Sequence, residues 1–180
     1  LRVRRPPARV RRPFSAGRRR QRHATARRGG GRQFDQEARA AGYVLDAQLA
    51  AIGAERCVAT ADFGFPCRIS LEDASVGDEL LLLSFQHQPA DSPYRASWPI
   101  FVRRGALPRT LGVGEIPPYV SRRLISVRGY DAAHRMLDAA VCEGSAVAAE
   151  IERQFADARI AYIHLHNAKR GCYSCRAERA

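Results

Sequence analysis

The sequence predicts an α+β fold: one mainly antiparallel sheet, two helices and a C-terminal β-hairpin, preceded by a basic arm. Three observations carry this. Segments of helical and extended character do not alternate one for one, which argues against a doubly wound parallel sheet. Short apolar runs such as Leu80–Leu83 end in Pro, Asp, Ser or Gly and so have the length and punctuation of strands. The last stretch reads strand, turn, strand about Gly171.

Residues 35–53 carry Leu45, Leu49 and Ile52 at helical spacing, with Asp46 in an early turn and Gly42 as an interruption. Residues 54–61 suit a first strand. Gly64-Phe65-Pro66-Cys67 is an extended corner, because Pro66 biases Phe65 away from helix, and Cys67 reads as a small core residue. Strands follow at 79–87 and 98–103, joined by the turn Ala90-Asp91-Ser92-Pro93. Residues 105–118 form a loop rich in Gly and Pro, and 124–130 form another strand that stops at Asp131. His134 and Cys142 fall in loop-like sequence. Residues 145–155 form the clearest helix, with Val147, Ile151 and Phe155 four apart, Glu150 and Glu152 outside and Ser145 as N-cap. Residues 160–167 and 172–178 pair as the terminal hairpin.

The formal charge of +12 is confined to one end. Residues 1–32 hold 13 arginines and no carboxylate, leaving 17 Lys and Arg against 18 Asp and Glu in the rest. The first 33 residues have too few aliphatic side chains to offset the entropy of ordering and are expected to be a disordered arm. The remainder, 34–180, is one domain of ordinary size. Nucleic-acid binding is therefore an expectation for the arm alone. The arm has the Arg, Pro and Gly content of a leader translated from an extended start, and Met136 is the sole methionine; we expect it to lie outside the native coding sequence. No apolar run approaches a membrane span. Five cysteines without an export signal suggest reduced thiols in a cytoplasm.

Chemistry concentrates between Tyr162 and Arg176, where His164, His166, Cys172 and Cys175 fall close together. Imidazole and thiolate are the side chains most used for metal binding, proton transfer and nucleophilic attack. In a strand His164 and His166 share one face, and Ile163 and Leu165 the other. A three-residue turn with Gly171 left-handed puts Cys172 on the histidine face and Cys175 opposite; a two-residue turn reverses them. The metal candidates are His164, His166, Cys172 and Cys175, for zinc or iron, although Cys-x-x-Cys in a strand cannot present both sulfurs to one side. The catalytic candidates are His164, His166, Cys172 and Asn167: Cys172 as nucleophile or ligand, a histidine as general base, and Asn167 to orient a ring or donate to an oxyanion. His87, Asp91, Tyr94, Arg95, Arg103 and Arg128 are candidates for binding a small molecule. A guanidinium inside an apolar strand, as at Arg128, calls for an anion: an ion pair with Asp91, Asp131 or Glu178, or a ligand. No phosphate loop and no Gly-x-Ser-x-Gly elbow is present.

Several blocks stand in one order: Gly64-Phe65-Pro66-Cys67-Arg68, Leu71-Glu72-Asp73-Ala74, Leu81-Leu82-Leu83 through His87-Gln88-Pro89 to Tyr94, Pro99-Ile100-Phe101-Val102-Arg103, Tyr130-Asp131, Tyr162-Ile163-His164 to Ala168, and Gly171-Cys172. Together they resemble the domain-of-unknown-function 1203 family over about residue 43 to the C-terminus. The resemblance implies a compact, mainly bacterial domain and no activity. It also leads one to expect Gly where Trp98 stands and a small residue where His134 stands. Two functions remain open beside the arm: a small-molecule or metal site on the hairpin, catalytic or not, and a structural or interaction module in which the same residues form a buried hydrogen-bonded latch.

Overall fold

The computed structural model describes residues 2–4 and 46–180. The remaining arm residues and 34–45 lie outside the described residues, and with them most of the expected arm and the first part of the 35–53 helix. The described strands are β1 (Arg2–Arg4), β2 (Glu55–Val58), β3 (Glu79–Gln88), β4 (Ala96–Arg103), β5 (Leu124–Tyr130), β6 (Met136–Glu143), β7 (Tyr162–Asn167) and β8 (Tyr173–Glu178). They form two antiparallel sheets, of order β1-β8-β7-β5-β6 and β2-β3-β4. The α+β class holds, with two sheets in place of one. Residues 104–117 carry the chain from the small sheet to the large one.

Among the described residues there are three α-helices rather than two: α1 (Asp46–Ala51), α2 (Pro118–Ser121) and α3 (Val147–Phe155). The unforeseen helix, α2, begins with Pro118 in the first turn, where a missing N–H costs nothing. Ser145 does not cap α3. It lies in a 3-10 turn over Gly144–Ala146, and the capping position falls to Ala146 without a side-chain bond. Nor is the arm wholly without structure, since Arg2–Arg4 pairs with Arg176–Glu178 at the sheet edge.

The segment read as loop around His134 and Cys142 is mostly β6. Leu137, Ala139 and Val141 of that strand are exposed and their neighbours partly buried. Alternation with the apolar residues outward inverts the usual signal. His134 itself closes the β5–β6 turn with φ of +63°, which accounts for the expected small residue there.

The main core lies on one face of the large sheet. Ile125 and Val127 of β5, Ile163 and Leu165 of β7, and Cys175 and Ala177 of β8 pack with Val147 and Ile151 of α3 and with Tyr119 and Val120 of α2. Gly129 lets α3 close on this sheet, because a Cβ there would sit 2.7 Å from Gln154 Oε1 and 2.8 Å from Ile160 Cδ1. Full burial of each large aliphatic is worth about 1.5–3 kcal/mol. A smaller core joins Phe85, Ile100 and Val102 of the small sheet with Cys67 and Ile69 of the segment between β2 and β3 and with Tyr173, which reaches across from β8. Cys67 is buried as expected, and its Sγ accepts the backbone N–H groups of Ile69, Ser70 and Arg103 at 3.3–3.5 Å.

Candidate functional site

The alternation of β7 sets the site. Ile163 and Leu165 enter the main core, so Tyr162, His164 and His166 point to the opposite face, toward β3. Cross-strand pairing extends that face in rows: Ser126 beside His166, Arg128 beside His164 and then Arg176, and Tyr130 beside Tyr162. The hairpin turn has Gly171 at φ of +74°, closed by Gly171 N–H to Asn167 O at 2.8 Å and Asn167 N–H to Cys172 O at 2.9 Å. A bulge follows in β8, where Leu165 pairs with Cys175 and His166 with Tyr173. It skips Ser174 and brings Tyr173 onto the histidine face.

The result is a buried cluster of rings between the sheets. His87 of β3 stacks on Tyr173 with centroids 5.0 Å apart and planes at 15°, and meets His166 edge-on at 5.0 Å. His164 is the hub, with Tyr130, Tyr162 and Tyr173 at 5.0–5.1 Å, His87 at 6.0 Å and His166 at 6.1 Å. Tyr130 and Tyr162 stack at 5.2 Å, and Arg176 lies 3.9 Å over the Tyr162 ring while pairing with Glu178. Gln88 Nε2 donates to Tyr162 Oη at 2.7 Å, leaving that hydroxyl to donate to His134 Nδ1 at 2.9 Å.

The three histidines are 7, 2 and 1 % exposed at His87, His164 and His166. Burial, and then the charge of Arg128, pushes His87 down to about 4 and His166 down to about 3. Burial, with the neighbouring His166 and His87, pushes His164 well below the usual histidine range. All three are neutral at pH 7. His166 Nδ1 donates to Gly171 O at 3.0 Å, which leaves its Nε2 as a bare lone pair. Among the described residues, His166 Nε2, His87 Nδ1 and His164 Nδ1 have no hydrogen-bond partner.

The predicted residues therefore divide. His164, His166 and His87 come together. Cys172 does not join them: it is half-buried in the turn, its Sγ is 3.9 Å from Arg170 O, and Tyr173 stands beside His166 instead. Cys175 faces the main core, where burial pushes its thiol up to about 12. Asn167 contributes through its backbone. Tyr94 touches the cluster edge-on at Tyr130, 6.0 Å away. Arg95 pairs with Asp91 on the surface, and Arg103 is held by Asp78 at 3.1 Å on the far side of the small sheet. Arg128 pairs with none of the three carboxylates expected for it; its Nε donates to Ser126 Oγ at 3.0 Å. Among the described residues no three His, Cys, Asp or Glu side chains are arranged to hold a metal ion. None of the described helices is long and apolar enough to cross a membrane.

Sequence reasoning missed Tyr130, Tyr162 and Tyr173, although the first two continue the i, i+2 rows of Arg128 and His164. It also missed Arg68. That guanidinium is buried beneath Tyr173, donates from Nε to Tyr173 O at 2.7 Å and also bonds Pro66 O. Nothing in its local sequence marks it as buried.

A sequence profile described as "Protein of unknown function (DUF1203)" matches residues 64–179, a span that holds β3 to β8 and every ring of this cluster. The chain belongs to the DUF1203 family. No curated protein and no solved structure matches it. In family terms, the Gly-Phe-Pro-Cys-Arg block builds the Cys67 and Arg68 corner under Tyr173, and the Tyr-Ile-His block builds the hub of the cluster. Trp98, where a DUF1203 sequence is expected to carry Gly, is exposed on β4 beside the Gly171 turn.

Proposed function

We propose that this domain is a non-catalytic structural or interaction module whose C-terminal hairpin latches the small sheet onto the large one. The observation that carries the reading is the stack of His87 on Tyr173 across the two sheets, with His164 and His166 edge-on around it and all three imidazoles buried and neutral. A hydrolytic or thiol mechanism asks for a nucleophile within reach of a base. Here the candidate thiol, Cys172, has its Sγ directed to Arg170 O. Aromatic pairs of this kind contribute about 0.5–1.5 kcal/mol each beyond the area they bury.

The test is His87→Ala and His164→Ala beside Cys172→Ser, followed by amide exchange and elemental analysis of the untagged protein. A latch predicts faster exchange in β3 and β4 in both histidine variants, with β5–β7 still protected, and no effect of Cys172→Ser. Stoichiometric zinc or iron that disappears in the histidine variants would replace the latch with a metal site. Unchanged exchange in both would remove the latch altogether.

A further inference from the structure

The second sheet covers only part of the histidine face. β3 lies over β7 and β8, where His164, His166 and Tyr173 are buried, but coverage ends at β5. Ser126 and Arg128 are partly exposed, and the next strand on the same face presents Leu137, Ala139 and Val141, with Leu137 41 % and Val141 61 % exposed. The register sets these groups side by side: Arg128 opposite Ala139, and Ser126 opposite Val141. A guanidinium thus lies against an apolar row. At the strand rise, Leu137 to Val141 spans roughly 13 Å.

Arg128 has no carboxylate partner among the described residues. Asp91 is taken by Arg95, Glu178 by Arg176, and Asp131 by the backbone N–H of Arg135. Its side-chain acceptors are the hydroxyl groups of Ser126, at 3.0 Å, and Tyr130. Arg68, buried under Tyr173, donates to two carbonyl groups and lies over the Tyr119 ring. Where the sheet face opens to solvent, the Arg128 charge thus has hydroxyl partners and, among the described residues, no carboxylate. A half-buried guanidinium favours a charge-assisted, two-pronged bond to a carboxylate, and the exposed row beside it favours an apolar group.

We propose that Arg128 and Ser126, with the apolar row Leu137, Ala139 and Val141, form a binding site for a small carboxylate carrying an apolar chain. The carboxylate seats on the Arg128 guanidinium and the chain lies along β6. Tyr94, edge-on to Tyr130, bounds the end of the row nearest Met136. The site borders the latch: Arg128 lies beside His164 and its charge reaches the buried rings, while the apolar row of β6 lies beyond them.

Calorimetric titration of the full chain with octanoate tests this, with acetate as the charge-only probe and octanol as the chain-only probe. Octanoate should bind at one site and at least about tenfold more tightly than either control. Arg128→Met should lose about tenfold in octanoate affinity while leaving octanol unchanged. Val141→Glu, on an exposed position that cannot disturb the core, should abolish octanoate binding with the circular dichroism unaltered. Binding of octanol equal to octanoate, full affinity in either variant, or no octanoate heat at all would overturn the proposal. None of these results bears on β3 and β4 exchange, so failure here and failure of the latch are separable.

Discussion

The two faces of β7 differ by one residue of register and by almost everything else. Ile163 and Leu165 enter a core of aliphatic side chains under α3. Tyr162, His164 and His166 enter a layer of stacked rings with polar atoms at their edges. The aliphatic face holds few polar groups, chiefly the Tyr119 hydroxyl and the Cys175 thiol, and burial pushes both up, away from the neutral range. On the ring face three imidazole nitrogens have no partner among the described residues, and a guanidinium lies within electrostatic reach. Such groups cost stability unless they are kept neutral. The comparison teaches that the ring face is held by packing and is exposed to protons, whereas the apolar face is held by packing alone.

Acid is the strongest way to separate the two. Each buried histidine has a folded pKa below its unfolded value near 6.5, so the unfolded chain binds more protons between that value and about 4. Stability contributed by the neutral rings is complete above about pH 6.5 and is lost as pH falls toward about 4. The slope is about 1.4 kcal/mol per pH unit for each histidine. Urea titrations across this window should show the steep loss, and amide exchange should show β3 and β4 opening before β5–β7. A stability that stays flat through the window would mean that the rings are not buried as a layer.

Leu165→Ala is the matching break on the other face. It removes a fully buried side chain from the α3 core and should cost about 2–5 kcal/mol at every pH. His164→Phe sharpens the comparison further. It keeps a ring at the hub and removes an unpartnered nitrogen. Stability at neutral pH should change by less than about 1 kcal/mol, since replacing a buried polar group by an apolar one of the same shape is nearly neutral. The acid slope should fall by one histidine's share. An unchanged slope would show that His164 is not among the groups that take up the protons.

Much of this was legible in the chain, and the reasons differ by region. The strand alternation at Tyr162–Asn167 and the left-handed Gly171 turn are local signals, and both appear as read. Which of Cys172 and Cys175 faces the histidines was left open by the turn: Cys175 lies opposite them, and Cys172 does not join them either. The pairing of His87 with His164 and His166 was legible only as a suggestion, because it depends on how two sheets meet. The aromatic partners were not legible: Tyr173 reaches the histidine face only because a bulge shifts β8 by one residue. β6 was missed because its exposed residues are the apolar ones. The same inversion leaves Leu137, Ala139 and Val141 beside Arg128. Arg128 was expected to pair with Asp91, Asp131 or Glu178 or to bind a ligand; all three carboxylates are engaged elsewhere.

The smallest expected effect is at Cys172, and it bears on the sharpest chemical expectation drawn from the sequence. A thiol three residues from Cys175 and six from His166 invites a nucleophile or a ligand. Yet the turn leaves Cys172 half-buried, with a long contact to Arg170 O, while Tyr173 takes the place beside His166. Cys172→Ser should therefore change stability by no more than about 0.5 kcal/mol, as for an ordinary partly exposed position. It should leave both the acid slope and the exchange pattern of β3 and β4 intact. Denaturant unfolding of the variant beside the parent decides the matter. A loss above about 2 kcal/mol would mean that the sulfur is bound to something the ring layer needs, and the hairpin would then be a ligand site rather than a latch.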